Sequence, residues 1–242
     1  ENSMDGVASR DFILETMSAL SLLMITTSRM CEELVLWSSA FIRFVDLNDA
    51  YCSTSSIMPQ KKNPDTAEIM RGKSGTAVGE LMAGLTLMKG LPMSYNRDMQ
   101  DLTPHLWRAI DAAAQSVQIL ADMVQTAVFN TDRMADEADH GNSTATELAD
   151  LMVREFGMPF RTAHNIVGRA VKLGGLGLNV VEQAGKEICG WSLIEKGLTQ
   201  AHIDRALSPV GMVDAKQSLG APKPAMMNSL PMPQPLPLPG MR

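Results

Sequence analysis

Residues 9–45 read SRDFILETMSALSLLMITTSRMCEELVLWSSAFIRFV. Ile13, Met17, Leu20, Met24, Thr27, Cys31, Leu34, Ser38, Phe41 and Val45 recur at alternating spacings of four and three, and eight of these ten are apolar. This is a heptad seam, the pattern of a helical stripe that packs lengthwise against partner helices. It predicts one helix over 9–45, a rod of roughly 50 Å at ~1.5 Å per residue. Such a rod is too long for a compact small domain and calls for partner helices, other subunits included.

Working outward, residues 46–62 are rich in Ser, Thr and Asn, lack helical period and read as a loop. Asn63-Pro64 then has the form of an N-cap and first-turn pair, with Asp65 and Glu68 in the first turn. A second helix is expected to about Lys89, stopped by Gly90 and Pro92. It carries Gly72, Gly75, Gly79 and Gly84, each weakening an isolated helix by ~1 kcal/mol, which close approach of neighbouring helices would explain. Residues 91–102 form a second polar loop, and Thr103-Pro104 repeats the cap signature before a third long helix to about Phe129. A short helix–turn region at 130–142 leads to amphipathic helices at 143–156 and 159–173, separated by Gly157. Gly174, Gly175 and Gly177 make a loop, and short helices are expected near 180–188 and 199–207. The expected fold is all-α. Residues 1–130 form part of a long-helix bundle, 131–220 a small helical domain, and 221–242 an unstructured tail in which Pro231, Pro233, Pro235, Pro237 and Pro239 alternate.

Composition narrows the function. The 242 residues are 45% hydrophobic and 20% charged, which excludes disorder of the whole chain. A net charge of −6 argues against nucleic acid or an anionic membrane as main partner. Nineteen Met against six Phe, three Trp and two Tyr lean the chain toward helix. No uncharged apolar run reaches the ~18 residues of a membrane span; residues 18–28 are apolar but lie between Glu15 and Arg29. Cys31, Cys52 and Cys189 lack a C-x-x-C and read as free thiols in a reducing compartment. His105, His140, His164 and His202 lack ligand spacing, so no metal is expected. Gly72-Lys73-Ser74 fails as a P-loop because Ala67 stands where its first glycine is required. Gly174-Gly175-Leu176-Gly177 follows no strand and is no dinucleotide fingerprint.

The segment that carries chemistry is 54–64, TSSIMPQKKNP. Paired serines, two lysines and a helix start within eleven residues suit an anion: lysines supply charge, and a helix N-terminus supplies free N–H groups. A serine hydroxyl there donates hydrogen bonds or acts as nucleophile or base. A solvated positive loop would have the same residue types.

The spelling of 55–64 resembles the signature loop of the fumarase, aspartase and argininosuccinate lyase superfamily, whose fold is the L-aspartase/fumarase-like helix bundle. Gln60-Lys61-Lys62-Asn63 is similar to the argininosuccinate lyase variant; fumarases and aspartases usually carry Gly-Lys-Val-Asn. Asn2-Ser3-Met4-Asp5 with Ser9-Arg10-Asp11-Phe12 is similar to the segment entering a long bundle helix in these lyases. Gly157-Met158-Pro159-Phe160-Arg161, with Ala163-His164, is similar to their small C-terminal domain. The resemblance covers residues 1–220.

It implies a carbon–nitrogen lyase (amidine-lyase) that splits argininosuccinate into L-arginine and fumarate without a cofactor, in cytoplasmic arginine biosynthesis. It also implies a homotetramer whose sites are each assembled from three subunits. Carried over, Ser55 is the catalytic serine on a mobile loop, Lys61 stabilises the aci-carboxylate, and Asn63 binds substrate and caps its helix. Glu68 matches the acidic partner of the family's catalytic histidine, Tyr95 and Gln100 match substrate-binding positions, and Arg10 an arginine near the site. Thr103 stands where these lyases usually carry a lysine. The family's N-terminal part, with its Thr-His motif, has no counterpart, and the first residue is Glu1, so a fragment or one half of a split enzyme is expected. Other readings are a different fumarate-forming lyase, such as adenylosuccinate lyase, or a non-catalytic bundle of the delta-crystallin kind. Exposed seams predict self-association.

Overall fold

The computed structural model describes residues 2–58 and 61–224; the alternating prolines of 231–239 and the Pro59-Gln60 step lie outside the described residues. The chain divides into two compact units, Glu1–Arg133 and Met134–Arg242.

The first unit runs α1 (Ser3–Ala8), α2 (Asp11–Ser38), β1 (Val45–Asp46), a 3₁₀ turn (Asp49–Tyr51), β2 (Ser53–Thr54), β3 (Lys62–Asn63), α3 (Asp65–Met88), α4 (Met99–Thr126) and β4 (Val128–Phe129). α5 (Thr131–Asp139) begins at its end. Along α2 the seam packs as expected through its first two-thirds and beyond: Ile13, Met17, Met24, Thr27, Cys31 and Leu34 are buried. The predicted end at Val45 is wrong. α2 stops at Ser38, because Ser39 is extended and the Ser38 hydroxyl donates back to the Val35 carbonyl at 3.1 Å. Arg43 then turns through φ 58°. Phe41, expected on the seam, is 93% exposed. Val45 is buried instead as part of β1, antiparallel to β4, with Val45 opposite Phe129. Serines that compete for backbone groups end the helix, and a pairing distant in sequence takes over the register.

α2, α3 and α4 pack on one another with successive directions reversed between α2 and α3 and between α3 and α4. One end is filled by Ile13, Met17 and Leu102, the middle by Met24, Ala77 and Ala113, and the other end by Cys31, Leu34, Ala67, Met70, Leu120 and Met123. α3 starts at Asp65 with Pro64 at the cap position and no side-chain cap. The expected capping by Asn63 is therefore corrected: Asn63 lies in β3, opposite Ser53. The close-approach reading of the glycines holds for Gly84 alone, where an added Cβ would lie 3.0 Å from Leu102 Cδ1 and 3.2 Å from Leu14 Cδ2. Gly72, Gly75 and Gly79 meet nothing within 4 Å among the described residues.

α4 starts at Met99, four residues before the expected Thr103-Pro104 cap, and keeps Pro104 inside. Its opening turn is tight: Met99, Gln100 and Asp101 N–H groups donate to the carbonyls of Asn96, Arg97 and Asp98. A proline one turn further in forfeits one hydrogen bond. Full burial of Leu102 against the Gly84 face offsets that loss. Gln100 is thus helical rather than in a loop.

The second unit contains α6 (Ala145–Phe156), α7 (Phe160–Lys172), α8 (Leu178–Cys189), α9 (Gln200–Leu207) and α10 (Pro209–Ala215). Leu148, Leu151, Met152, Ile166, Val181 and Ile203 belong to one continuous core. Gly157 closes α6 in the left-handed conformation at φ 63°, which glycine adopts without a Cβ penalty. Thr199 caps α9 in a capping box with His202. α10 was not expected, although Ser208-Pro209 spells its cap, with the Ser208 hydroxyl accepting from Gly211 N–H. Glu147, 1% exposed, accepts from Arg154 at 2.8 Å and from Lys216 at 2.7 Å, so its buried charge is paired.

Candidate active site

The signature segment folds as a short hairpin ahead of α3. Ser53 pairs with Asn63 and Thr54 with Lys62. Inside it, Ser55 N–H donates to the Lys61 carbonyl at 3.3 Å, and Lys61 N–H to the Met58 carbonyl at 2.9 Å. The half-buried Ser55 hydroxyl oxygen accepts from the N–H groups of Met58 at 3.1 Å and Ile57 at 3.3 Å. Two backbone donors on one hydroxyl oxygen favour any negative charge placed on it. Ser56, Ile57 and Met58 are exposed, Ile57 at 87%.

The two lysines differ. Lys62 Nζ lies 2.6 Å from Asp49 Oδ1 and 2.9 Å from Asp46 Oδ1, and these carboxylates hold its ammonium above the ordinary lysine range. Lys61 is exposed and makes no ion pair among the described residues. Its charge is open to an incoming anion. Asn63, half-buried, is next in β3. Glu68 is exposed in the first turn of α3, near Arg71, which pairs with Glu32. Burial raises the thiol of Cys31 to about 11 and pushes that of Cys52 up.

Tyr95, Gln100 and Arg10 are at the other end of the bundle. Tyr95 is in the α3–α4 connection and 51% exposed; Gln100 is exposed in the first turn of α4. Arg10 precedes α2 and folds over the end of α1, donating to the carbonyls of Ser9 at 2.7 Å and Val7 at 3.0 Å. A cleft of about 420 Å³ opens there, lined by Asp5, Arg10, Asp11, Leu85, Met88 and Met93 among others. α3 alone, 24 residues at ~1.5 Å each, puts roughly 36 Å between its two ends. The chain therefore brings Ser55, Lys61, Asn63 and Glu68 to one end and Tyr95, Gln100 and Arg10 to the other.

Within the first unit, His105 does not adjoin the hairpin. His105 pairs with Glu80 between α3 and α4, His140 bonds the Asp136 carbonyl, His164 packs on Phe160, and His202 bonds Thr199 and faces Glu155. Asp46 and Asp49 are not among the site residues expected from the sequence. Only their acidity just upstream of two lysines marked them, and nothing local told which lysine they meet.

A family model for lyases matches residues 1–79, and one for the argininosuccinate lyase C-terminal region matches 142–214. The argininosuccinate lyase of Methanocorpusculum labreanum is 62% identical over 94% of this chain and 46% of its own length. That of Methanoculleus marisnigri is 58% identical over 92% of this chain and 45% of its own. Among solved structures, an EDDS lyase variant with bound fumarate superposes with a TM-score of 0.79 at 29% identity, over 94% of this chain and 46% of that one. A class II fumarase from Schistosoma mansoni, with a TM-score of 0.64 at 17% identity over 85% of this chain and 42% of its own, shares the fold. The chain belongs to the argininosuccinate lyase family and spans about half the length of the curated relatives it matches.

Proposed function

We propose that this chain supplies the serine-loop half of an argininosuccinate lyase, the cofactor-free carbon–nitrogen lyase that releases L-arginine and fumarate in cytoplasmic arginine biosynthesis. The observation that carries this reading is the hairpin, which holds the Ser55 hydroxyl under two N–H donors beside Lys61, a residue with no ion pair among the described residues.

The chemistry follows from charge. Removing the Cβ proton next to a carboxylate leaves a dianionic aci-carboxylate. Lys61 supplies a cation where that charge develops, which is worth several kcal/mol of barrier. Ser55 Oγ takes the proton, its alkoxide form favoured by the Ile57 and Met58 N–H groups. The C–H electrons become the Cα–Cβ double bond of fumarate, the C–N electrons leave on the guanidinium nitrogen, and an acid protonates that nitrogen. Asn63 holds substrate, Glu68 orients the family's histidine, and Tyr95 and Gln100 bind substrate. Closure of the hairpin excludes water.

The roughly 36 Å along α3 means that the Ser55 group and the Tyr95 group of one chain serve different sites. Subunits packed with reversed bundles bring one chain's hairpin to another's Tyr95 end, and a homotetramer with shared sites meets that need.

The test is fumarate release from argininosuccinate, followed by ultraviolet absorbance. The chain is assayed alone and mixed with the N-terminal half of a curated relative, with Ser55→Ala as control. Activity in the mixture that falls at least ~10³-fold in the variant is expected. An assembled mixture without activity would overturn the catalytic reading and favour a structural bundle.

A further inference from the structure

We infer that Lys62, through its ion pairs to Asp46 and Asp49, is the positioning residue of the Ser55 hairpin. The inference rests on the lyase reading of this loop.

The hairpin has little to hold it. It has two paired rungs, Ser53–Asn63 and Thr54–Lys62, and a ladder this short is marginal by itself. Its two internal backbone bonds, from Ser55 and Lys61 N–H, tie the loop to itself rather than to the bundle. Among the described residues, Lys62 makes the hairpin's ion-pair connection outward, reaching Asp49 at 2.6 Å and Asp46 at 2.9 Å. Both acceptors are on fixed backbone. Asp46 belongs to β1, which β4 holds in register. Asp49 opens the 3₁₀ turn that Asn48 caps by accepting from Ala50 N–H at 2.9 Å. Neighbours along extended chain point to opposite faces, so pinning Lys62 turns Lys61 away from the two carboxylates. Without the clamp, nothing fixes which way the Lys61–Lys62 pair of side chains faces, and the orientation of Lys61 toward the substrate is lost.

The carboxylates are 75% and 93% exposed and Lys62 36% exposed, so the trio adds little to global stability. Its role is then in loop geometry, where a shift of about 1 Å can cost up to ~10²-fold in rate.

Two variants break the clamp while moving local charge in opposite directions. The trio carries a net −1; Lys62→Met makes it −2, and Asp46→Ala with Asp49→Ala makes it +1. Both are assayed in the active mixture, with amide hydrogen exchange over 53–63 measured in the same assembly. Expected results are kcat lowered ~10-fold or more in both, KM for the anionic substrate moving in opposite directions, faster exchange in both and an unchanged unfolding midpoint. Lys62→Arg, which keeps the pairs, restores kcat. Unchanged exchange in both variants, or a kcat loss in only one, would overturn the inference and leave a simple charge effect. If the unsubstituted mixture proves inactive, the lyase reading fails, and the exchange measurement still decides the clamp.

Discussion

The long-helix unit and the C-terminal unit are both helical, yet they bury their apolar residues differently. The second unit closes around one core reaching from Leu148 on α6 to Ala206 on α9. The first fills its three-helix seam in separate clusters and leaves Phe12 at 65%, Leu22 at 67%, Met82 at 56% and Trp107 at 57% exposure. A helix that is apolar beyond the stripe it buries has surface left for another chain. The contrast teaches that periodicity alone does not distinguish a self-sufficient domain from a rod that needs neighbours. The small unit gathers its apolar residues into one core, while the rods carry the candidate chemistry at their two ends.

Several changes would break or sharpen that contrast. The largest effect is expected in the closed unit at Glu147. Glu147→Ala takes from Arg154 and Lys216 the acceptor they share, leaves Lys216 with Asp150 at 3.3 Å, and empties a fully buried position, costing ~3 kcal/mol; denaturant unfolding would show it, and a loss under about 1 kcal/mol would mean the ion pairs are incidental. Next is Gly185→Ala on α8, where a Cβ would fall 2.5 Å from the buried Leu193 Cδ1, with an overpacking cost of ~2 kcal/mol. The mirror experiment on the rods is Gly75→Ala, where the Cβ meets open space. Helix propensity then stabilises the chain by up to ~1 kcal/mol. A destabilised Gly75→Ala chain would show that this face is covered in solution, and sedimentation would then find the chain associated. A chain that sediments as a monomer would count against the unfinished character of the rods.

The smallest effect is electrostatic. The Arg108 guanidinium, with His105, holds the Glu80 carboxyl below its ordinary 4.5. A depressed carboxylate contributes stability that is complete above the unfolded value and lost as pH falls through the folded one. The stability difference between the unsubstituted chain and Arg108→Met should therefore be present at pH 6 and shrink as pH falls below 4.5, as denaturant titrations at several pH values would read. A difference that persisted unchanged in acid would mean that Arg108 acts by packing rather than charge.

Much of the fold was legible because it is local. The seam from Ile13 to Leu34 spelled α2, Gly157 and Thr199 marked their helix ends, and TSSIMPQKKNP marked a loop, though not its folding as a hairpin. What failed was decided at a distance. Serines at 38 and 39 gave no warning that Val45 would pair with Phe129, and Thr103-Pro104 read as a helix start although the Leu102–Gly84 contact keeps it inside α4. Two adjacent lysines look alike in sequence; their difference comes from where Asp46 and Asp49 fall in space.

The sequence by itself determined the helical class, the seam and the loop that carries serine, lysine and asparagine, because period, caps and turn residues act over a few positions of chain. The tertiary structure alone decided which lysine is neutralised, where α2 ends and α4 begins, and that Ser55 and Tyr95 stand at opposite ends of one rod. Each of these depends on groups far apart in sequence, whose meeting is set by packing and strand pairing rather than by local propensity.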